Sequence, residues 1–503
     1  MLIVLSTINA RYAHAALGLR YLAANMGERK GDTKIVEFVL GARPADMVET
    51  ILAERPRIVG FGVYIWNAED TTKVVALLKR IAPEVIVVVG GPEVSYEVEE
   101  QRICALADYV ITGWGDVTFA RFCRDVLAGE PPSRKVHAGE QPDLDVIALP
   151  YALYTEEDIA RRFLYVEASR GCPFKCEFCL SALDKTAWPF NLDRFLAELA
   201  RLHDRGARHF RFVDRTFNLK VSASVKLLEF FLVRLDERLF VHFEVIPDRL
   251  PDKLKEAIAR FPAGSLQFEV GIQTWNPEVQ ALISRKQDNA SAEANLAWLR
   301  NRSNALIHVD LIAGLPGEDL ESFGRGFDRL CALAPHEIQV GILKRLRGTP
   351  IARHTEAFAM RYNPDPPYNV LATDRIGFAD MQRIARFARY WEMVGNSGRF
   401  HRVLPLMLDD APFARFMRFA DWLLAKTGKT HEIALDRLFE LAYAFVTAEL
   451  GVAPAAAAEA LGRDYAASGA KGRLGFLEGT TQPGAPRSAS RRDRMRQARH
   501  LIA

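Results

Sequence analysis

The stretch Gly171-Cys172-Pro173-Phe174-Lys175-Cys176-Glu177-Phe178-Cys179 decides how this chain is interpreted. It holds three of the six cysteines within eight residues, and the other three are scattered at Cys104, Cys123 and Cys331. So tight a cluster indicates a metal or iron–sulfur site rather than a disulfide framework. Three thiolates bind three irons of a cubane and leave the fourth iron open. An open metal position is a property of catalytic sites rather than of structural ones.

A zinc site is the alternative explanation of these cysteines. Structural zinc usually takes a fourth Cys or His at short range. The nearest histidines are His137 and His203, and neither stands at a finger-like spacing. The concentration of the thiols therefore favours an iron–sulfur cluster.

Composition limits the class of protein. The 503 residues are 49% hydrophobic, which is ordinary for a globular chain of several domains, and no apolar run is long enough for a membrane span. The apolar start Met1-Leu2-Ile3-Val4-Leu5-Ser6 lacks a basic segment and a cleavage site, so it predicts a β-strand rather than a signal peptide. Few cysteines predict a cytoplasmic protein, and a net charge of +3 gives no reason to expect nucleic acid as a partner.

Residues 1–130 alternate apolar, Val- and Ile-rich strands with helical stretches. This pattern predicts a doubly wound, Rossmann-like parallel sheet that is buried on both faces. Ligands of such sheets bind at the carboxyl ends of the strands. No G-x-G-x-x-G follows the first strand, so the dinucleotide fingerprint is missing. The residues at the predicted strand ends are Asn9, Tyr64, Trp66, Gly90, Gly91, Gly113, Trp114 and Gly115.

After a connector at 131–154, residues 155–350 begin a second series of strands and helices. Six βα units predict a partial (β/α)6 barrel of the TIM type, with the cysteine loop at the carboxyl end of its first strand, where barrels keep their chemistry. Residues 351–465 have the pattern of a helical domain. Residues 466–503 are rich in Gly, Ser, Pro and Arg, and we expect a solvated, disordered tail. Polar residues near the predicted barrel strand ends suggest a polar ligand: Asp214, Glu244, Glu269, Gln273 and Asp310.

The Cys-x3-Cys-x2-Cys spacing, with Phe178 before the last cysteine, resembles the radical S-adenosylmethionine (SAM) enzymes. The runs from Gly271 to Thr274 and from Asp310 to Glu318 are similar to that family at the expected distances after the cysteines. The preceding domain, with Gly90-Gly91-Pro92 and Gly113-Trp114-Gly115-Asp116, resembles the cobalamin (B12)-binding domain of one large subfamily. The Pro366-Pro367-Tyr368 and Asn396–Phe400 runs resemble an uncharacterised C-terminal helical domain, DUF4080, found in a subset of those proteins.

The resemblance implies a [4Fe–4S] cluster on Cys172, Cys176 and Cys179 that cleaves SAM reductively, with cobalamin as a second cofactor. It implies methylation of an unactivated centre of a small-molecule or natural-product substrate, and an electron donor such as flavodoxin or ferredoxin. The residues toward SAM would be Phe178, Glu244, Gln273, Asp310 and Leu343, and the cobalamin contacts would be the residues at the predicted strand ends of the first domain. The Asp-x-His-x-x-Gly motif that supplies a cobalt ligand is missing, so His14 is not expected to bind cobalt.

Two other functions stay open from the sequence. One is radical transfer of the 3-amino-3-carboxypropyl group of SAM to a heteroatom or metalloid such as arsenic. The other is a non-catalytic iron–sulfur or cobalamin sensor. The cysteine motif does not choose among these functions.

Overall fold

The computed structural model of the chain describes residues 1–184, 186–477 and 499–500. It contains two six-stranded parallel sheets followed by a mainly helical region. The predicted fold class, a doubly wound sheet, then a partial barrel, then a helical domain, is confirmed.

The first sheet has the strand order β2-β1-β3-β4-β5-β6, and all of its pairs are parallel. Its strands are β1 (Ile3–Asn9), β2 (Thr33–Val39), β3 (Ile58–Gly62), β4 (Ile86–Gly90), β5 (Tyr109–Thr112) and β6 (Val136–Ala138). Its helices are α1 (Leu17–Ala24), α2 (Pro44–Ala53), α3 (Ala68–Ile81), α4 (Arg102–Leu106) and α5 (Thr118–Leu127). The strand order reverses between β1 and β3, and ligands of doubly wound sheets bind at such a switch point.

Helical periodicity explains why the helices pack on both faces of this sheet. On α5, Phe119, Phe122, Cys123 and Val126 are buried, and they recur at the spacing of one helix face. The central strands β3 and β4 are buried apolar runs because helices cover both of their faces.

The second sheet has the order β14-β13-β12-β11-β10-β7. Its strands are β7 (Leu164–Val166), β10 (His209–Phe212), β11 (Phe240–Val245), β12 (Leu266–Gln273), β13 (Leu306–Ala313) and β14 (Glu337–Ile342), and a small antiparallel pair, β8 (Ser169–Gly171) and β9 (Ala187–Pro189), follows β7. The helices are α6 (Glu156–Arg161), α7 (Leu192–Asp204), α8 (Val221–Leu232), α9 (Asp252–Ala259), α10 (Pro277–Leu282), α11 (Asn289–Arg302) and α12 (Leu320–Leu333). The described strands β7 and β14 do not pair, so the barrel is open between them.

The C-terminal region packs on the barrel through an aromatic cluster. Its elements are β15 (Arg361–Tyr362), β16 (Val370–Ala372), α13 (Phe378–Met393), α14 (Val403–Leu408), α15 (Pro412–Thr427), α16 (Leu435–Ala444), a π-helical turn (Phe445–Glu449) and α17 (Pro454–Ala467). The ring of Phe327 on α12 lies 4.8 Å from Trp391 on α13, between ring centroids, and 6.0 Å from Phe413 on α15. These contacts make one continuous core of the barrel and the helical region.

Short 3-10 turns complete the described structure, at Gly27–Asp32, Pro92–Val94, Val98–Glu100, Tyr151–Leu153, Leu180–Asp184, Phe217–Leu219, Pro350–His354 and Gly475–Leu477. The last of these turns follows Leu474, whose buried side chain packs against the helical region. The tail residues 478–498 and 501–503 lie outside the described residues. No helix in the described part of the chain combines the length and apolarity of a membrane span.

Candidate functional site

The cysteine loop leaves the barrel at the carboxyl end of β7 and is held there by Asp214, which follows β10. The Asp214 carboxylate accepts the N–H of Ala168 at 2.9 Å and the hydroxyl of Ser169 at 2.6 Å. Burial raises the pKa of Asp214 to about 7. Gly171 precedes the first cysteine at φ +80°, and a Cβ there would lie 2.4 Å from the carbonyl oxygen of Thr186. Glycine is therefore required for this turn.

The three thiols line one cavity of about 260 Å³ at the barrel mouth. Cys172 and Cys176 are buried, and burial raises the pKa of Cys172 to about 11 and that of Cys176 above its ordinary value. The guanidinium of Arg285 lies 3.6 Å from the sulfur of Cys176. Buried thiolates need a compensating positive charge, which this arginine and a bound metal cluster would supply.

Three thiols around one cavity are the donor set of an iron–sulfur cluster. Within the described ranges, no three His, Cys, Asp or Glu side chains converge closely enough to hold a single metal ion. A cubane makes no such demand, because each thiolate binds a different iron.

Glu177, between the second and third cysteines, ties the loop to the barrel. It is 3% exposed, and its carboxylate accepts hydrogen bonds from Ser284 at 2.5 Å and from Arg353, and pairs with His354 at 2.9 Å. Its backbone N–H donates to Ile283 at 3.1 Å. A carboxylate placed between two of the cysteines is the sequence signal for this anchor, although the cysteine spacing alone does not point to it.

Four of the five predicted SAM residues, Phe178, Glu244, Gln273 and Asp310, line the cavity of the thiols. Leu343 does not. It is 2% exposed within the barrel core, and its backbone bonds Ala313 and Val370.

Strand β12 ends in an irregular backbone that brings Gln273 to the cavity. The register between β12 and β13 shifts between Gly271 and Gln273, and Gln273 has φ +69°. A Cβ at Gly271 would lie 2.4 Å from the side-chain amide nitrogen of Gln273, so a larger residue there would displace that amide. Left-handed backbone at a non-glycine residue is costly, and it is typical of functional sites.

Carboxylates from three neighbouring strands share this cavity. Burial raises the pKa of Glu244 to about 7, although Arg215 donates to it at 2.6 Å. Glu269 pairs with His242 at 3.2 Å, and its pKa falls to about 2 because this contact outweighs burial. Asp310 lies 3.2 Å from His308, and burial raises the pKa of Asp310. The cavity therefore combines acidic groups on the strands with thiols on the loop.

A second cavity, of about 450 Å³, lies between the first sheet and the cysteine loop. Six of the eight predicted cobalamin residues line it, namely Tyr64, Gly90, Gly91, Gly113, Trp114 and Gly115. Gly91 has φ +113°, and a Cβ there would lie 2.5 Å from the carbonyl oxygen of Val63. The glycines keep side chains off this wall, so a large planar ligand can lie against the backbone. The residues present thus fit a corrin.

The structure does not bring the other two predicted residues, Asn9 and Trp66, to this cavity. The amide of Asn9 donates to Glu37 at 2.9 Å and to the carbonyl of His14 at 3.0 Å. Trp66 stacks on Tyr64 with ring centroids 4.5 Å apart and donates to the carbonyl of Ile8. Both side chains make these contacts with residues of the first domain. The ring of His14 packs against the barrel and bonds the hydroxyl of Tyr165 at 2.6 Å.

Arg170, two residues before the first cysteine, joins the cysteine loop to the first domain. It donates to both oxygens of Asp116, at 2.8 and 3.2 Å, and to Glu167 at 2.8 Å. Its guanidinium lies over Tyr21 and Trp114, 4.4 and 5.1 Å from the ring centroids. No sequence pattern singles out Arg170, because its partner Asp116 lies 54 positions away in the chain.

Comparisons with known families assign each part of the chain. The B12 binding domain matches residues 3–122, the radical SAM superfamily matches residues 166–330, and the protein of unknown function DUF4080 matches residues 356–488. The chain therefore carries a B12-binding domain followed by a radical SAM domain. Radical SAM domains bind a [4Fe–4S] cluster and SAM, and B12-binding domains bind cobalamin, so these are its cofactors. The individual residue contacts to them, and the domain boundaries, stay predictions.

Relatives carry methyltransferase names. An uncharacterized methyltransferase of Pyrococcus horikoshii, PH0819, is 30% identical over 42% of this chain and 51% of its own length. The cobalamin-dependent radical SAM methyltransferase TokK of Streptomyces tokunonensis is 24% identical over 57% of this chain and 47% of its own length. The chain thus spans about half the length of these curated relatives.

Solved structures share the fold. TsrM of Kitasatospora setae, with cobalamin and a [4Fe–4S] cluster bound, has a TM-score of 0.58 at 18% identity, over 76% of this chain and 81% of its own. OxsB, with aqua-cobalamin bound, has a TM-score of 0.59 at 13% identity, over 93% of this chain and 80% of its own. At these identities the likeness concerns the fold.

Proposed function

We propose that this protein is a cobalamin-dependent radical SAM methyltransferase that methylates an unactivated carbon of a small molecule. One observation carries the proposal. Gly171 lines the glycine-walled cavity of the B12-binding domain, and the next residue, Cys172, lines the cavity of the thiols. Two cofactor sites that meet across a single peptide bond favour a reaction in which both cofactors act on one substrate.

When bound, the cluster supplies the electron for reductive cleavage of SAM, and cobalamin supplies the methyl-transfer chemistry. The chain's own residues hold and orient these groups. Cys172, Cys176 and Cys179 would ligate the cluster. Phe178 would lie against the adenine, and the amide of Gln273 would bind polar atoms of SAM.

Acidic strand residues would complement the positive charges of SAM, which are its sulfonium and its ammonium. Glu269 is ionised at neutral pH, because its pKa is about 2. Glu244 and Asp310 line the same cavity and accept hydrogen bonds in either protonation state. A partly enclosed cavity of this kind also keeps water from reactive species.

The test is SAM cleavage by anaerobically purified protein loaded with iron, sulfide and hydroxocobalamin, with dithionite as the reductant. We expect 5′-deoxyadenosine and S-adenosylhomocysteine as products of SAM. Cys176→Ala should lose the iron–sulfur absorbance and all cleavage. Cys331→Ala, which removes a thiol on α12 outside both cavities, should retain them.

The same products separate the proposal from its alternatives. 5′-Methylthioadenosine in place of 5′-deoxyadenosine would favour 3-amino-3-carboxypropyl transfer. No cleavage by cluster-loaded protein would favour a sensor. A physiological electron donor such as flavodoxin or ferredoxin is part of the proposal, and it should replace dithionite in this assay.

A further inference from the structure

Arg215 lies where the two cavities meet. It follows strand β10 by three residues, at the carboxyl end of the barrel. Among the described residues, it is the only one that lines both the cavity of the thiols and the cavity of the B12-binding domain. A molecule that reaches from one cavity into the other must therefore pass this side chain.

The guanidinium of Arg215 uses only part of its N–H donors within the described residues. Its Nη1 donates to Glu244 at 2.6 Å, and 50% of the side chain is exposed. A guanidinium carries five N–H donors in a planar fork. The remaining N–H donors of Arg215 have no hydrogen-bond partner among the described residues. Such a fork suits bidentate binding of a carboxylate.

Two neighbouring arginines of the mouth are already engaged. Arg170 is paired with Asp116 and Glu167. Arg285 donates to the carbonyl of Gly271 and to Gln287, and it contacts the sulfur of Cys176. Of these three guanidinium groups, the one of Arg215 makes the fewest hydrogen bonds to described residues.

We propose that Arg215 binds a carboxylate of the substrate, so that the substrates of this protein are small carboxylic acids. The inference rests on the proposed function, because that function requires a substrate within reach of both cavities. The carboxylate would lie on the free edge of the Arg215 fork, opposite Glu244. The carbon skeleton would extend into the glycine-walled cavity, whose wall also carries Tyr64 and Trp114.

The competing role for Arg215 is binding of the SAM carboxylate, since Arg215 also faces the thiols. The two roles predict different losses. A substrate site loses its preference for acids when the guanidinium is removed, while SAM binding is kept. A SAM site loses SAM affinity.

The experiment measures binding of a matched probe pair, 3-phenylpropanoate and 3-phenylpropanamide, which differ mainly in charge. The protein carries cob(II)alamin, an oxidised cluster and SAM, so that SAM is not consumed. Broadening of the probe proton resonances by the paramagnetic cobalt reports binding near the cobalamin. Variants are Arg215→Gln, Arg215→Lys and the control Arg260→Gln, an arginine on the outside of the barrel that is 55% exposed and paired with Glu229.

We expect the wild type to bind the acid at least about tenfold more tightly than the amide, the scale of one charge-assisted hydrogen bond. Arg215→Gln should lose this preference, Arg215→Lys should keep part of it, and Arg260→Gln should keep all of it. SAM affinity, measured by equilibrium dialysis, should stay within about threefold of wild type in each variant. Cobalamin and iron contents show that the variants are folded.

Either of two results would overturn the proposal. One is equal broadening of the acid and the amide in the wild type. The other is a tenfold or larger loss of SAM affinity in Arg215→Gln, which would assign Arg215 to SAM. Failure of the proposed function is recognised separately, because it appears as absent cobalamin uptake or absent SAM cleavage in the wild type.

Discussion

The guanidinium of Arg170 and the carboxylate of Asp116 form a bidentate pair, with N–O distances of 2.8 and 3.2 Å. Asp116 ends the Gly113-Trp114-Gly115-Asp116 run of the B12-binding domain, and Arg170 stands two residues before the first cysteine. The pair is largely buried, with side chains 15% and 8% exposed. It therefore fixes the distance between the cysteine loop and the Gly113-Trp114-Gly115-Asp116 run.

Replacing Arg170 should loosen the cobalamin site. Arg170→Ala leaves the carboxylates of Asp116 and Glu167 buried without their cation, and truncating one partner of a buried pair costs about 3–5 kcal/mol. We expect cobalamin affinity to fall about tenfold or more, measured by absorbance titration. Arg170→Lys should recover part of it, since a lysine keeps the charge but not the fork. Arg124→Ala, which removes an arginine that is 66% exposed on α5, is the matched control. Unchanged affinity in Arg170→Ala would show that the pair does not shape this site.

Glu177 should control retention of the cluster. Glu177→Ala removes the buried partner of Ser284, Arg353 and His354, so the loop between Cys176 and Cys179 loses its anchor. We expect a lower iron content after desalting and a faster loss of the absorbance near 400 nm under a chelator, by roughly 10-fold, as for other outer residues of metal sites. Glu321→Ala, on an exposed face of α12 with the side chain 83% exposed, should behave as wild type. Equal chelation rates in the two variants would contradict the anchoring role.

The sequence predicted the parts of this site that depend on local pattern. The cysteine spacing, the Gly90-Gly91 turn and the polar ends of barrel strands are each contained in a few consecutive residues. The residue pairs that join the domains are not contained in such short stretches of sequence. Arg170 and Asp116 are 54 positions apart, and Arg347 and Glu93 are 254 apart. No periodicity or spacing rule relates such residues, because the topology alone brings them together.

Side-chain direction separates three of the predicted site residues from the two cavities. Asn9 ends β1 and Trp66 follows β3, but a strand-end rule does not contain the direction of a side chain. Asn9 turns toward Glu37, and Trp66 turns toward Ile8. Leu343 likewise follows β14 yet packs into the core.

The buried carboxyl of Glu318 should make the stability of the barrel depend on pH. Burial raises the pKa of Glu318 to about 7, although the hydroxyls of Thr274 and Ser322 donate to it, and its other oxygen has no partner among the described residues. A raised carboxyl pKa means that the folded state binds the proton more tightly than the unfolded state. Its contribution to stability is therefore present below about pH 4.5 and is lost as the pH rises to about 7.

Glu318→Gln mimics the protonated form and removes this dependence. Above pH 7 the variant should be more stable than wild type by about 3 kcal/mol, the free energy that corresponds to a pKa of about 7 in place of 4.5. Near pH 4.5 the two should be nearly equal. Urea unfolding at both pH values measures this, with the exposed Glu321→Gln as the control. A stability difference that is the same at both pH values would contradict the assignment.

The C-terminal region should contribute to the cobalamin site through Tyr368. This residue belongs to the segment matched by DUF4080, and its hydroxyl donates to the buried carboxylate of Glu93 at 2.6 Å. Arg347, which follows β14, donates to the same carboxylate at 3.2 Å and to Glu97 at 2.7 Å. Glu93 comes directly after Gly90-Gly91-Pro92, so these hydrogen bonds hold the glycine turn in place beside the barrel.

Tyr368→Phe removes one hydrogen bond to a carboxylate and should weaken cobalamin binding by about tenfold, the scale of about 1.5 kcal/mol. Arg347→Ala should weaken it further, because Glu93 then loses its cation in a buried setting. The control is Tyr443→Phe, because this C-terminal tyrosine stacks on Phe476 and lines neither cavity. Absorbance titration with hydroxocobalamin measures all three variants beside wild type. If Tyr368→Phe and Tyr443→Phe bind equally well, the C-terminal region does not support the turn, and its contact with Glu93 serves only to hold the domains together.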